Sequence, residues 1–220
     1  MTLLATNNGN YAASCSLDFS APPLYYDTFA LRDSSGAPTV SMTWPYFLSS
    51  RSRSVLTSSG DVPVQSCWNG MVAFDAAPFY ATPTSAGLKF RGLPDSLAQS
   101  HLEASECCLI HTDNKLSAEK GVYLNPNVRV AYNADAYKAV HPDGGQWPSR
   151  WQKVKGVWKN RALRWARWPS RYLERRLVQG RIDSWMKSPL EKGANKNSEA
   201  GAICTVDEMQ VLVINGWKHL

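Results

Sequence analysis

Residues 100–113 concentrate the side chains of this sequence that are best suited to chemistry. The stretch contains two glutamates, two thiols, two imidazoles and one aspartate: Glu103, Glu106, Cys107, Cys108, His101, His111 and Asp113. Packing so many polar groups around the apolar pair Leu109-Ile110 costs free energy unless the groups are paired or used. Functional sites commonly carry that cost. We therefore take this stretch as part of a candidate site.

Secondary structure must position these side chains, and the pattern predicts a helix followed by a strand. The helix is predicted over 95–104, and the apolar strand over 107–111, which places His111 at the end of the strand. Glu103 lies three residues before Glu106, so on a helix the two carboxylates would share a face.

The remainder of the N-terminal region predicts short strands and loops, so the fold class is α/β. Strands are predicted over three further segments, 15–19, 25–31 and 123–131, the last interrupted by Pro126. Asn69-Gly70 predicts a tight turn that leads into an apolar strand ending at Phe74. Residues 33–65 are rich in Ser, Pro, Gly and Thr and predict a long surface loop.

Composition indicates an ordinary globular protein with one strongly basic segment. The chain has 220 residues, of which 44% are hydrophobic and 19% charged, which is enough for one domain with a real core. No apolar run approaches the ~20 residues of a membrane-spanning helix, and the N-terminus lacks the pattern of a signal peptide. Residues 150–187 hold twelve Lys or Arg and two acidic residues, so this segment carries +10 and the rest of the chain −4.

Five cysteines at irregular spacing fit neither a disulfide framework nor a zinc site. Plain buried thiols are the favoured interpretation. On a strand, Cys107 and Cys108 would point to opposite faces. The alternative is then that one of them bridges to a distant partner such as Cys15 or Cys67.

The basic segment 147–187 also contains six tryptophans and predicts a helical region that Pro169 breaks or kinks. Trp151, Trp158 and Trp165 are seven residues apart, which keeps them near one helical face. That face could dock on the rest of the protein, lie on an anionic membrane surface, or contact nucleic acid. Nucleic acid is disfavoured because 1–146 shows no base-stacking or groove-reading element. Residues 188–220 predict a polar tail with a short strand near 211–214.

Several motifs in order resemble the fungal capsule-associated α-1,3-mannosyltransferases of glycosyltransferase family 69. They are Thr-Asn-Asn-Gly-Asn-Tyr (6–11), Leu-Asp-Phe-Ser (17–20), Tyr-Tyr-Asp-Thr-Phe-Ala-Leu-Arg-Asp (25–33), Ser-Cys-Trp-Asn-Gly (66–70), Leu-Lys-Phe-Arg (88–91), Glu-Ala-Ser-Glu-Cys-Cys-Leu-Ile-His-Thr-Asp (103–113) and Leu-Asn-Pro-Asn-Val-Arg-Val-Ala-Tyr (124–132). The resemblance covers about 1–141.

The resemblance implies a hexosyltransferase whose residues 1–146 form the acceptor-side half of a GT-A-like domain with a Rossmann-like mixed sheet. It implies transfer of mannose from GDP-mannose to a mannose-containing glycan with α-1,3 linkage, a divalent Mn²⁺ or Mg²⁺, and a Golgi membrane location with the site in the lumen. The family's upstream acidic metal-binding motif is not found in this sequence, so we expect impaired donor use. The alternative is a non-catalytic homologue that binds a glycan or a partner.

Two residues of the 100–113 stretch are candidates for the reaction itself. Glu106 could act on the acceptor hydroxyl or the sugar if its carboxylate comes within hydrogen-bond reach; the alternative is a solvated carboxylate at a helix end. His111 could be a late metal ligand, since Mg²⁺ and Mn²⁺ take oxygen ligands and sometimes an imidazole. The alternative is a hydrogen-bonded structural histidine.

The remaining candidates are substrate-binding residues in two other motifs and one basic position: Trp68, Asn69, Gly70, Asp27, Arg32 and Arg91. An indole face packs on the C–H side of a sugar, an amide both donates and accepts, and glycine admits close backbone approach. Asn69-Gly70 is equally typical of a simple hairpin turn. Arg32 with Asp33 could instead form a surface ion pair, and Arg91 could approach a phosphate.

Overall fold

A computed structural model describes residues 2–83, 86–189 and 197–208. The strands are β1 Ala13–Ala21, β2 Leu24–Tyr25, β3 Arg32–Asp33, β4 Val62–Ser66, β5 Val72–Phe74, β6 Leu102–Ala104, β7 Val122–Ala131 and β8 Thr205–Asp207. The α-helices are α1 Ser50–Thr57, α2 Asp95–Ala98, α3 Glu106–Asp113, α4 Leu116–Lys120, α5 Ala134–Val140, α6 Arg150–Ala166 and α7 Trp168–Met186. Short 3-10 helices cover Leu3–Gly9, Ala77–Phe79 and Ala202–Cys204. The predicted mixed α/β class is confirmed.

Across the described ranges, six strands form one mixed sheet in the order β2-β1-β7-β4-β3, with β5 pairing with β1. Only β1 and β7 are parallel in this sheet as described. Their register jumps from Cys15 opposite Leu124 to Leu17 opposite Arg129. The jump spans Pro126, which cannot donate a ladder hydrogen bond. The predicted strand is therefore confirmed, and the break predicted at Pro126 is a shift of register within a continuous β7.

The core lies around β1, whose residues Ala13–Phe19 are all buried. Residues 33–65, predicted as a surface loop, contribute Trp44, Tyr46 and Phe47 to this core and also form α1 and β4. That prediction is wrong because it rests on the polar average composition of the segment. The burial of these three large apolar side chains stabilises packed structure despite that composition.

The predicted strand over 107–111 is wrong, because these residues belong to α3. Backbone N–H groups of Cys108 and Leu109 both donate to the Ser105 carbonyl, which starts the helix. A short apolar run does not distinguish a strand from a buried helix by its period. Four consecutive residues, Cys108–His111, are buried because α3 packs between β4 and the C-terminal segment. Glu103 and Glu106 do not share a helical face, since Glu103 lies on β6.

Two other predicted elements are shorter than expected. The helix over 95–104 ends at Ala98, and His101 adopts a left-handed φ of 58° before β6 begins. The strand over 25–31 is restricted to Leu24–Tyr25. Residues 26–31 instead form the loop that reaches the candidate site, and the predicted strand over 15–19 is confirmed within β1.

The prediction of plain buried thiols is wrong for four cysteines. Cys15 bonds to Cys67, and Cys108 bonds to Cys204, while Cys107 is a free thiol. The first bridge joins β1 to the end of β4. The second fixes the C-terminal segment 202–207 onto α3, and that segment also pairs through β8 with β6.

The basic segment forms two helices that meet at Arg167, and Pro169 lies in the first turn of α7, as its position predicts. Docking of the tryptophan stripe on the rest of the protein is wrong, since Trp151, Trp158 and Trp165 are exposed. Through the described residues, no helix combines the length and apolarity that crossing a membrane requires. The predicted strand near 211–214 lies outside the described residues.

Candidate functional site

Asp18 lies buried where the parallel strands β1 and β7 end side by side. Phe19 pairs with Ala131 at this edge, and α/β sheets commonly bind ligands at the carboxyl ends of parallel strands. The Asp18 carboxylate accepts hydrogen bonds from the Asp27 backbone N–H and from the Tyr132 hydroxyl, both at 3.2 Å. Burial raises the pKa of Asp18 to about 6, and the charge of Asp27 adds to this effect while the hydrogen bonds oppose it. Asp18 therefore changes its charge near pH 6.

The Asp27 carboxylate organises the two loops at this edge. Its Oδ2 accepts from the Asn69 backbone N–H at 3.0 Å, and its Oδ1 accepts from the Ala30 N–H at 3.3 Å. The Ser16 hydroxyl on β1 donates to the Asn69 carbonyl at 2.7 Å. Asp27 and the Trp68-Asn69-Gly70 motif are thus brought together, although 42 positions separate Asp27 from Asn69.

The Asn69-Gly70 turn leads into β5, as predicted, and it also packs closely on the site. Both residues have positive φ, 57° and 74°. A Cβ at Gly70 would lie 2.7 Å from a Val130 methyl and 3.0 Å from Asp18 Cβ, so glycine is required by both conformation and space. The Asn69 side chain is buried, and within the described residues its Nδ2 has no hydrogen-bond partner.

An exposed pair of aromatic rings covers the buried Asp18. Tyr26 and Tyr132 are 54% and 60% exposed, and their ring centroids are 5.0 Å apart. Beside the neighbouring turn, Trp68 contacts Phe90 edge to face at 5.7 Å. Aromatic faces are electron-rich and attract the weakly positive C–H groups of a sugar ring. This edge therefore combines two aromatic surfaces with hydrogen-bonding groups.

Glu106 is exposed and is the first residue of α3, where a negative charge is favourable. The next residue, Cys107, has its Sγ 3.9 Å from Glu106 Oε1. Burial raises the pKa of the Cys107 thiol to about 11, and the charges of Glu106 and Asp27 add to the effect. The thiol therefore stays protonated at neutral pH and is a poor nucleophile. The charge of Asp27 acts on this thiol, so the start of α3 lies within electrostatic range of Asp27.

Arg32 is not free to bind a substrate, because its guanidinium is buried and occupied. It donates to the carbonyls of Phe29, Leu31, Ile203 and Cys204 at 2.7–3.3 Å. Burial lowers the pKa of Arg32 to about 10. The alternative of a surface ion pair with Asp33 is wrong, since both residues are buried. Arg32 instead fastens the C-terminal segment to the β2–β3 loop.

Arg91 is likewise occupied, by two carboxylates. It makes paired hydrogen bonds of 2.6 and 2.9 Å to Asp113, and of 2.7 and 2.8 Å to Glu199. The Glu199 side chain is 1% exposed. Arg91 compensates that buried charge and links the end of α3 to residue 199.

His111 lies inside the fold, with its ring stacked on Phe74 at 5.4 Å. Its Nε2 donates to the Cys67 carbonyl at 2.6 Å, so the tautomer with a free Nδ1 lone pair is present. Nδ1 is buried and has no partner in the described part of the chain. Burial lowers the pKa of His111 to about 4, and the imidazole is therefore neutral at neutral pH.

A family model described as "Cryptococcal mannosyltransferase 1" matches residues 1–113, just over half of the chain. The chain belongs to this mannosyltransferase family. The match begins before β1 and ends with α3, so it contains Asp18, Asp27, the 68–70 turn and Glu106. No curated protein and no solved structure matches the chain.

The family resemblance implies a divalent metal, but the described residues provide only one candidate ligand for it. His111 offers one unpartnered nitrogen, but the described residues contain no group of three or more His, Cys, Asp or Glu side chains placed to hold an ion. The described residues therefore do not assemble a metal site around His111.

Sequence reasoning missed Asp18, Tyr26 and Tyr132. Each lies inside a motif that carries the family resemblance, and Asp18 had a recognisable signal. It is a charged residue between Leu17 and Phe19 in a strand, and a carboxylate on a strand buried on both faces must be paired or used. The two tyrosines are more than 100 positions apart in sequence, and they meet because Phe19 on β1 pairs with both Tyr25 on β2 and Ala131 on β7, the residues that precede them.

Proposed function

We propose that this chain supplies the acceptor side of a mannosyltransferase site in a GT-A-like domain. In this proposal, mannose is transferred from GDP-mannose to a mannose-containing glycan with α-1,3 linkage, during synthesis of a capsule or cell-wall glycan in the Golgi lumen. The observation that carries it is the exposed Tyr26–Tyr132 pair over buried Asp18, beside Asp27 and the start of α3. The family membership supplies the reaction class.

In the proposed step, a hydroxyl oxygen of the acceptor forms a bond to the anomeric carbon of mannose. The bond from that carbon to the diphosphate oxygen breaks, and GDP leaves with the bonding electrons. The acceptor's proton passes to a carboxylate, a role we assign to Glu106 because it is an exposed carboxylate at the start of α3, within electrostatic range of Asp27 through Cys107.

The other residues have positioning roles in this proposal. Tyr26 and Tyr132 hold the acceptor sugar through ring faces, and Trp68 borders the same edge. Asp18 orients Tyr132 through its 3.2 Å hydrogen bond. Asp27 fixes the turn that carries Asn69 and Gly70.

The test measures transfer of labelled mannose from GDP-mannose to an α-linked mannobiose, with Mn²⁺ or Mg²⁺ present and after chelation. We expect Tyr26→Ala and Tyr132→Ala to raise the KM for the acceptor, and Glu106→Gln to lower kcat. Tyr172→Ala, a half-exposed tyrosine on α7, is the matched control. Equal effects of Tyr172→Ala and Tyr26→Ala would overturn the assignment of the site.

The aromatic pair also favours a second function, glycan binding without transfer, because ring stacking on a sugar requires no nucleotide or carboxylate. Isothermal titration with oligomannosides in the absence of GDP-mannose separates the two. Binding that depends on Tyr26 and Tyr132, with no labelled product, supports the non-catalytic homologue. Donor-dependent product supports the transferase.

A further inference from the structure

Helix α6 attaches to the protein by one face only. Gly156 and Asn160, one turn apart, are its two buried residues. A Cβ at Gly156 would overlap the Trp44 carbonyl oxygen, and Asn160 Nδ2 donates to the Phe47 carbonyl at 3.2 Å. The inward face of α6 is thus a close backbone-to-backbone contact made through a glycine and an asparagine.

The opposite face of α6 carries a stripe of exposed tryptophans. At about 100° per residue, Trp151, Trp158 and Trp165 lie within ~40° of one another and roughly 180° from Gly156 and Asn160. They are 65%, 64% and 86% exposed. Burying an indole is worth a few kcal/mol at most sites, so three indoles held outward in a row are expected to contact something else.

Cations flank the stripe on both sides. On the same helical geometry, Arg150 and Arg161 lie along one edge of the stripe, and Lys155 and Lys159 along the other. Lys155 lies 5.0 Å from the ring centroid of Trp151, and Arg161 lies 5.3 Å from that of Trp158. Helix α6 contains six Lys or Arg and no acidic residue. Its outward surface is therefore apolar in the centre and positive at both margins.

From this arrangement we propose that α6 is a docking surface for an anionic phospholipid bilayer. A helix lying flat on a bilayer places indoles at headgroup depth while cations beside them reach the lipid phosphates. The outward face of α6 matches that requirement, because its tryptophans lie in the centre and its positive charges lie on both sides of them. The length of α6, about 25 Å for 17 residues, suits a helix lying in the plane of the surface.

Nucleic acid fits this surface less well. Duplex nucleic acid presents phosphates on its outside, so cations should occupy the centre of the helix face that binds it. On α6 the tryptophans occupy the centre of the outward face and the cations lie to the sides. The proposal is independent of the transferase assignment, since none of these residues belongs to the candidate site.

The test is flotation of the whole chain with phosphatidylcholine vesicles, with and without phosphatidylserine. We expect binding only when phosphatidylserine is present, with quenching of tryptophan fluorescence by brominated lipid. Trp151→Ala/Trp158→Ala/Trp165→Ala and Lys155→Glu/Lys159→Glu/Arg161→Glu should each weaken binding at least ~10-fold. All six side chains are exposed, and circular dichroism checks that each variant stays folded.

A charge-matched control is available on other surfaces of the protein. Lys89→Glu/Lys115→Glu/Lys138→Glu alters net charge by the same amount at three exposed positions and should retain binding. Equal loss in the control and the α6 variant would overturn the proposal, because net charge would then explain the result. Failure of the wild-type chain to float with phosphatidylserine vesicles would also overturn the proposal. So would duplex DNA that displaces the protein from the vesicles, if DNA binding is lost when the same three tryptophans are replaced.

Discussion

Replacing the buried Asp18 carboxylate by an amide should stabilise the protein at neutral pH and leave its stability unchanged in acid. Burial raises the pKa of Asp18 from 3.8 to about 6 in the folded state. Each pKa unit corresponds to about 1.4 kcal/mol, so ionising Asp18 costs the folded state up to about 3 kcal/mol. Asp18→Asn removes this cost while keeping a side chain of the same shape between the Asp27 N–H and the Tyr132 hydroxyl.

The direction with pH follows from proton uptake. Between pH 4 and 6 the folded protein retains the Asp18 proton while the unfolded chain has lost it, so this group makes the wild type less stable as pH rises. Below both pKa values the carboxyl is neutral in both states, and the penalty vanishes. The advantage of Asp18→Asn should therefore be about 0.5 kcal/mol at pH 4 and reach ~3 kcal/mol by pH 7.

The assay is urea unfolding of wild type and Asp18→Asn at several pH values from 4 to 8, with disulfides intact. Taking the difference between the two proteins cancels the titration of groups that both contain. Asp143→Asn, at an exposed position, controls for the loss of one negative charge. A difference that stays constant across this pH range would refute the reasoning, because the burial of Asp18 would then not raise its pKa.

Three further predictions concern a buried histidine, a buried ion pair and two helical glycines. Burial lowers the pKa of His111 from 6.5 to about 4, so this group should contribute a loss of about 3 kcal/mol between pH 6.5 and 4. The difference in unfolding free energy between wild type and His111→Gln in urea should change by that amount, and a difference that stays constant would contradict the assignment. Arg91→Gln should destabilise the protein by about 3 kcal/mol because it leaves the buried Glu199 carboxylate without its ion-pair partner. Thermal unfolding checks this, and an unchanged midpoint would exclude a structural role for Arg91. Gly156→Ala should lower the free energy of unfolding by at least ~2 kcal/mol, because the added Cβ would overlap the Trp44 carbonyl. Gly180→Ala, with open space around it, should instead stabilise α7 by about 0.5–1 kcal/mol. Chemical denaturation of both variants tests this, and similar effects would show that α6 does not pack closely.

The sequence predicted features that depend on local chemistry. Positive φ at Asn69 and Gly70 follows from residue type, and the boundary between α6 and α7 follows from Pro169. The seven-residue spacing of Trp151, Trp158 and Trp165 places them on one helical face through the helical period alone. These predictions hold because backbone preference and helical period are properties of short segments.

Features that depend on distant contacts were not predictable in the same way. A run of four consecutive buried residues is compatible with a buried strand or a buried helix, so the pattern of 107–111 alone does not distinguish them. The packing of this run between β4 and the C-terminal segment is what favours the helix. Arg32 and Arg91 have the residue type of phosphate ligands, but carbonyls and carboxylates remote in sequence occupy them. The two disulfides span 52 and 96 positions, and spacing alone does not select such pairs.

The sequence by itself determined the family, the basic character of 150–187 and the motifs that contribute to the candidate site. The tertiary structure alone decided how those motifs combine: parallel pairing of β1 with β7 brings Asp18 to Tyr132, and the Asp27 hydrogen bond brings in Asn69. It also decided that α6 turns its tryptophans away from the core, because a glycine and an asparagine make the inward contact. The physical reason is the same in both cases, since burial and hydrogen-bond pairing depend on groups that only the folded chain brings together.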